Sequence, residues 1–253
     1  MNARTAEPID SRVDRESDAQ QAVASKPAHY DVMVVALMAL TFATGLIDAV
    51  SYLGLGHVFT ANMTGNIVLL GFAAVGAPGL SVTRSLLALG GFLVGAAVGG
   101  RLGTAVATAT RRWWLLTAAV IEAALIFAAA LASLGFDIAS VTPASRLYAV
   151  IVLTALAMGL RNATVRRLAV PDLTTTVLTL TLTGLAADSS LAGGNNPRPL
   201  RRIFSVVAMF AGAAIGAILL RHGLALPLVV AAVCVLGANV AACAFVDTST
   251  EDR

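Results

Sequence analysis

Between Val32 and Phe245 the sequence is so apolar that the few residues able to do chemistry stand out singly. Asp48 is the sharpest of them. It lies sixteen residues beyond Val32, deep in the first apolar run, and a carboxylate at the centre of a bilayer costs roughly 2.5–3.5 kcal/mol on insertion scales. Such a group faces the interior of a bundle or a cavity, or stays protonated there. Two roles fit: a proton or cation site, or a structural hydrogen-bond hub tied to a Thr or Asn of the next segment. That segment opens with Phe59-Thr60-Ala61-Asn62-Met63-Thr64-Gly65-Asn66. Asn62, Thr64 and Asn66 bring donors and acceptors, and Gly65 lets a backbone turn or a second helix come close. A polar, unwound start ahead of a half-helix suits ligand binding by a broken helix. The plainer reading is an interfacial loop in which Thr64 or Asn66 caps a helix beginning near Ile67.

The second half of the chain supplies a matching set. Asn162 aligns with Asp48 and can share its site. Arg161 beside it either snorkels from a helix end or serves Asp48 as a counter-ion. Thr179 lies in a run, Leu173–Ala187, that also holds Thr174, Thr175, Thr176, Thr181 and Thr183. Glu122 stands nine residues into the fourth apolar run, as a second proton-carrying group or a buried neutral acid. Asn239 reads as an interhelical hydrogen-bond donor. No hydrolase, zinc-protease or Walker motif occurs, so neither a hydrolase nor an ATP-driven pump is indicated. His29, His57 and His222 have no ligand spacing, and Cys234 and Cys243 read as inert thiols. No metal or cofactor is implied.

These residues must be positioned by membrane helices. The 253 residues are 58% hydrophobic and 12% charged, with a mean hydropathy of +0.84; soluble domains carry about 25% charged residues. A water-soluble enzyme is excluded on that balance, and the pI near 9.3 says nothing of nucleic acid. Of 31 charged residues, ten lie in 1–31 and four in 247–253, leaving twelve Arg and five acids in the apolar body. Arginine at loops between apolar runs orients a bilayer protein. Residues 1–31 and 247–253 are expected to be tails, the first disordered and cytoplasmic, around a membrane domain spanning 32–246. The expected partners are the lipid bilayer and an unknown small solute. Trp113 and Trp114, after Arg111-Arg112, are expected to anchor at the interface.

Eight apolar runs are visible, and six reach the roughly 20 residues that cross about 30 Å of hydrocarbon. The second and sixth, Phe59–Ala77 and Leu173–Ala187, are too short or too polar. The halves also resemble each other. Gly45-Leu46-Ile47-Asp48-Ala49 aligns with Gly159-Leu160-Arg161-Asn162-Ala163 at an offset of 114, and Gly95…Gly99 aligns with Gly212…Gly216 at 117. The expected architecture is therefore an all-α polytopic protein of two repeats, 32–134 and 146–246, each with three spanning helices and a short polar or re-entrant segment. Eight spanning helices are the alternative. Three crossings per repeat invert the halves and gather Arg101, Arg111, Arg112, Arg161, Arg166, Arg167, Arg198, Arg201 and Arg202 with the N-tail on the cytoplasmic side, as the positive-inside rule prefers. The Gly-x-x-x-Gly pairs read as close helix packing, with contact in a homo-oligomer as the minor alternative.

The stretch Gly45-Leu46-Ile47-Asp48-Ala49-Val50-Ser51-Tyr52 followed by Phe59-Thr60-Ala61-Asn62-Met63-Thr64-Gly65-Asn66 resembles the signature of the YoaK-type family, bacterial integral membrane proteins grouped as a domain of unknown function. The similarity covers roughly residues 35–245. It departs at Thr179-Leu180, where the family often shows a second Thr-Gly. The resemblance implies a multi-pass inner-membrane protein and supplies no substrate. The leading functional expectation is a small-solute or proton-coupled permease or channel. A non-transporting sensor, assembly factor or partner of a membrane complex is the alternative, and an intramembrane enzyme ranks last because no nucleophile–base pair can be assembled.

Overall fold

The computed structural model describes residues 32, 34–105, 111–168 and 178–246. The expected tails, 1–31 and 247–253, lie outside them, as do Thr174, Thr175 and Thr176. The described residues are helical throughout, apart from turns and one isolated bridge between Asp137 and Thr142. Helix α1 runs over Val34–Gly54, its last five residues, Val50–Gly54, wound as a π-helix. It is followed by α2 (Met63–Ala74), α3 (Val82–Ala105), α4 (Arg111–Ala132), α5 (Ala144–Leu168), α6 (Leu178–Ala187), α7 (Pro199–Leu219) and α8 (Ala225–Val246).

Six of these, α1, α3, α4, α5, α7 and α8, are long and apolar enough to cross a membrane. At 1.5 Å per residue, the 12 residues of α2 and the 10 of α6 rise about 18 and 15 Å. Neither reaches across about 30 Å of hydrocarbon. Hydroxyls inside the long helices fold back on their own turns: Thr41 donates to Leu37 O and Thr44 to Leu40 O, each at 2.9 Å. Thr154 and Thr164 in α5 do the same. A donor that would be costly in lipid is thereby satisfied locally.

Helices α1 and α5 form the centre. Seventy-two per cent of α1 is buried against 17% of α7, whose Phe204, Val207, Phe210 and Ile218 face outward as lipid-exposed side chains do. Helix α3 packs on α5, and α4 packs on both α5 and α8. The tightest crossings are made by glycine. A methyl group at Gly159 of α5 would strike Phe92 O and lie 2.8 Å from Ala96 N, both in α3; one at Gly45 of α1 would strike Met209 O and lie 2.8 Å from Ala213 N, both in α7. Gly99 and Gly216 answer from the other side, against Ala163 and Ala49 at 2.9 Å each. Gly159 and Gly45 are 114 residues apart, and Phe92 and Met209 are 117 apart, so α3 crosses α5 at positions that correspond to those where α7 crosses α1. The Gly95/Gly99 and Gly212/Gly216 pairs thus pack within the chain.

Of the two tryptophans expected at the interface, Trp114 departs from that expectation. Trp113 is exposed, whereas Trp114 turns inward against Leu115 and Cys243 of α8, because successive residues on a helix point about 100° apart.

Candidate functional site

Asp48 lies two residues before the π-wound end of α1. The extra residue per turn of a π-helix re-aims the chain leaving it, and such turns recur at functional sites. The chain here doubles back through residues 55–62 toward the Asp48 side of α1. Tyr52 pins that return, stacking on Phe59 with ring centroids 5.0 Å apart and meeting His57 edge-on at 5.2 Å. Asn62 then caps α2, its Oδ1 accepting Gly65 N–H at 3.3 Å. The backbone N–H groups of Ala61 and Asn62 face the Asp48 carboxyl. Asp48 Oδ1 itself is buried and has no hydrogen-bond partner.

The carboxyl opens onto a cavity of about 760 Å³. Helix α1 gives it Thr44 and Asp48, the start of α2 gives Ala61, Asn62, Thr64 and Gly65, α6 gives Leu178, Thr179, Leu180 and Leu182, and α7 gives Met209. Asp48 is buried at the floor, while Asn62, Thr64 and Thr179 stand exposed at the mouth. Five residues singled out from sequence, Asp48, Asn62, Thr64, Gly65 and Thr179, therefore line one space, although Thr179 is more than a hundred positions away from the others.

The remaining three lie elsewhere. Asn66 is buried beside the cavity as a tie. Its Oδ1 accepts Phe59 N–H at 3.4 Å and its Nδ2 donates to Ser85 O at 3.1 Å, joining the returning loop and α2 to the start of α3. Asn162 is half-buried on α5 with Nδ2 donating to Met158 O at 2.8 Å, and it is not among the lining residues. Glu122 pairs with Arg161.

That pair revises the reading of Arg161. The arginine does not snorkel; its direct ion pair is with Glu122, and it acts on Asp48 only through space. It is 1% exposed, because α5 continues to Leu168 and leaves it two turns inside the helix. Its Nε meets Glu122 Oε1, and its Nη1 donates to Leu40 O at 3.1 Å and to Thr44 Oγ1 at 2.9 Å. One guanidinium thus joins α5, α4 and α1. Thr44, which sequence reasoning passed over, belongs both to this network and to the cavity wall. The signal was present: Asp48, Glu122 and Arg161 are the charged residues deepest in the apolar runs, and one cation among two acids calls for a pairing. Arg202 is likewise engaged, its Nη1 donating to Gly184 O at 2.6 Å and to Asp188 Oδ2 at 2.8 Å, which fastens the end of α6 to the start of α7.

Six membrane-length helices, with a cavity between α1, α7 and the starts of the two short helices α2 and α6, define an α-helical multi-pass membrane protein. The chain belongs to the family described as protein of unknown function DUF1275, which it matches over residues 36–241. It is 37% identical over 166 residues to the UPF0700 transmembrane protein YoaK of Bacillus subtilis (strain 168), an alignment covering 64% of this chain and 69% of that protein. No solved structure matches it.

Proposed function

We propose that the protein is a small-solute permease or channel of the bacterial inner membrane, a transporter and not an enzyme, with Asp48 as its ion- or proton-binding group. The observation that carries this reading is the cavity at Asp48, lined by both halves of the chain. Its volume lies within the range of about 300–1,000 Å³ typical of small-molecule sites. A carboxylate at membrane depth is costly, and a binding role accounts for keeping it.

The matched glycine crossings support an inverted repeat over 32–134 and 146–246, with α2 and α6 as the re-entrant elements. In that arrangement both tails, Arg111–Arg112 and Arg198–Arg202 are cytoplasmic. Many transporters place their binding site between such repeats, at discontinuous helices. Cysteine labelling from outside intact cells is expected to fail both near residue 111 and near residue 200; labelling at one alone would remove the inverted arrangement.

Transport is tested in liposomes carrying wild type or Asp48→Asn, following an internal pH dye and a panel of labelled solutes under imposed gradients. The substitution removes charge with little change of shape, so the variant is expected to elute as a folded protein and to lose flux. A fully active Asp48→Asn protein, or no flux from wild type across the panel, overturns the proposal.

A further inference from the structure

We infer that the Asp48 cavity takes a small monovalent organic cation, a primary or secondary ammonium carrying an apolar body. This deepens the permease reading and rests on it. The first argument is the distribution of charge. Asp48 is the one ionisable side chain among the described lining residues. The nearby cation, Arg161, has its charge paired by Glu122 and also bonds Leu40 O and Thr44 Oγ1, although it still acts on Asp48 through space. The start of α2 faces the Asp48 carboxyl with backbone N–H groups, and a helix end supplies only about half a positive charge. A cationic ligand therefore meets the Asp48 carboxyl with no competing charged side chain among the described lining residues. Asp48 is 8% exposed and its Oδ1 lacks a partner, so it presents a buried acceptor that wants a donor, and an anion is disfavoured.

The wall then selects among cations. A divalent metal ion takes several carboxylates or other oxygen ligands, and the described residues contain no group of three His, Cys, Asp or Glu. A proton needs no space, whereas this cavity measures about 760 Å³. Much of the wall is Leu178, Leu180, Leu182 and Met209, contributed by α6 and α7, which offers a hydrocarbon body close contact. Thr64 and Thr179 add hydroxyl acceptors for the remaining N–H groups. Thr44 is oriented already, accepting from Arg161 and donating to Leu40 O, and so takes no part in recognition.

The experiment titrates the purified full-length protein in nanodiscs with methyl-, ethyl-, propyl- and n-butylammonium, with n-butanol, butyrate and sodium as comparisons, reading heat of binding and thermal shift. Affinity is expected to rise about fourfold per added methylene, the worth of a buried CH₂. Butanol, butyrate and sodium are expected to bind at least tenfold more weakly than n-butylammonium. Asp48→Asn should lower n-butylammonium affinity at least tenfold. Thr179→Val, at the exposed mouth where folding is not at stake, should lower it several-fold. Equal binding of butanol, or affinity independent of chain length, overturns the assignment. So does absence of ammonium binding in a protein whose proton flux still depends on Asp48, an outcome that leaves the permease reading standing. Loss of every flux as well removes both.

Discussion

Replacing Glu122 by glutamine takes the charge from one side of the ion pair that holds three helices together. Arg161 is 1% exposed and Glu122 is 4% exposed, so solvent cannot screen what remains. The amide keeps an acceptor for Arg161 Nε, and Leu40 O and Thr44 Oγ1 still accept from Nη1, but the guanidinium loses its direct ion-pair partner and keeps only the more distant Asp48. Breaking such a pair from one side costs about 3–5 kcal/mol, and Glu122→Gln should fall near the lower end because the hydrogen bond survives. Glu122→Leu, which removes that bond too, should approach the upper end. For a chain of this size 1 kcal/mol moves Tm by about 2–4 °C, so the expected drop is about 6–12 °C for glutamine. Arg161→Leu strands the carboxylate instead and should cost a similar amount. The double variant Glu122→Gln/Arg161→Leu carries neither charge and should lose much less than the sum, with a coupling of about 2–4 kcal/mol, since neutral replacements of buried pairs are often tolerated. Thermal unfolding of the four proteins in one detergent closes the cycle. Additive single losses, or a Glu122→Gln drop under about 2 °C, would refute the reasoning.

Gly159→Ala should separate α5 from α3, because the methyl meets Phe92 O and Ala96 N; overpacking of this kind costs about 1–3 kcal/mol, read as a lower Tm. Gly100→Ala on the outer side of α3 meets nothing within 4 Å and should be neutral or gain about 0.5–1 kcal/mol, so equal losses at the two sites would contradict the described crossing. In the loop between α4 and α5, the Ser140 hydroxyl and the Ala139 N–H hold the Asp137 carboxyl below its ordinary value of 3.8. A depressed carboxylate pKa gives stabilisation that is present above the unfolded value and lost as pH falls through the folded one. Carboxyl titration by NMR should place Asp137 below 3.8, Ser140→Ala should move it upward, and a value unchanged in that variant would remove the assigned cause.

The six long helices were legible because crossing a bilayer is a one-dimensional requirement on length and hydropathy, which a sequence displays directly. The shortness of α2 and α6 was visible for the same reason. The meeting of Asp48 with Thr179 was harder to reach, and it followed from aligning the halves, which placed two polar segments at equivalent positions. What stayed hidden was direction around the helix axis. Asn62 and Asn66 lie four residues apart and looked alike as binding groups, yet one caps α2 at the cavity mouth and the other is turned toward Ser85. Arg161 was misplaced because Arg166 and Arg167 suggested an ending helix, and nothing local told how far α5 continued or that Glu122 of α4 would lie opposite. Asn162 aligned with Asp48 in sequence, but such an alignment does not by itself bring two side chains to one cavity.

The exchanged glycine crossings bear on how the chain enters the membrane. The helix that clamps α1 is α7, and Gly45 and Gly212 are separated by about 170 residues. At a synthesis rate of about 5–20 residues per second, roughly 10–30 s pass between the emergence of one and of the other. Through that interval α1 carries Asp48 without the helix that will cover its glycine face, and α3 waits in the same way for α5. Neither half owns a complete set of neighbours, so the nascent protein must be held as a loose group of inserted helices until the second half arrives. Biogenesis of this chain is therefore an assembly between its two ends, and a ribosome stalled after α4 would leave a segment whose tightest contacts have not yet been made.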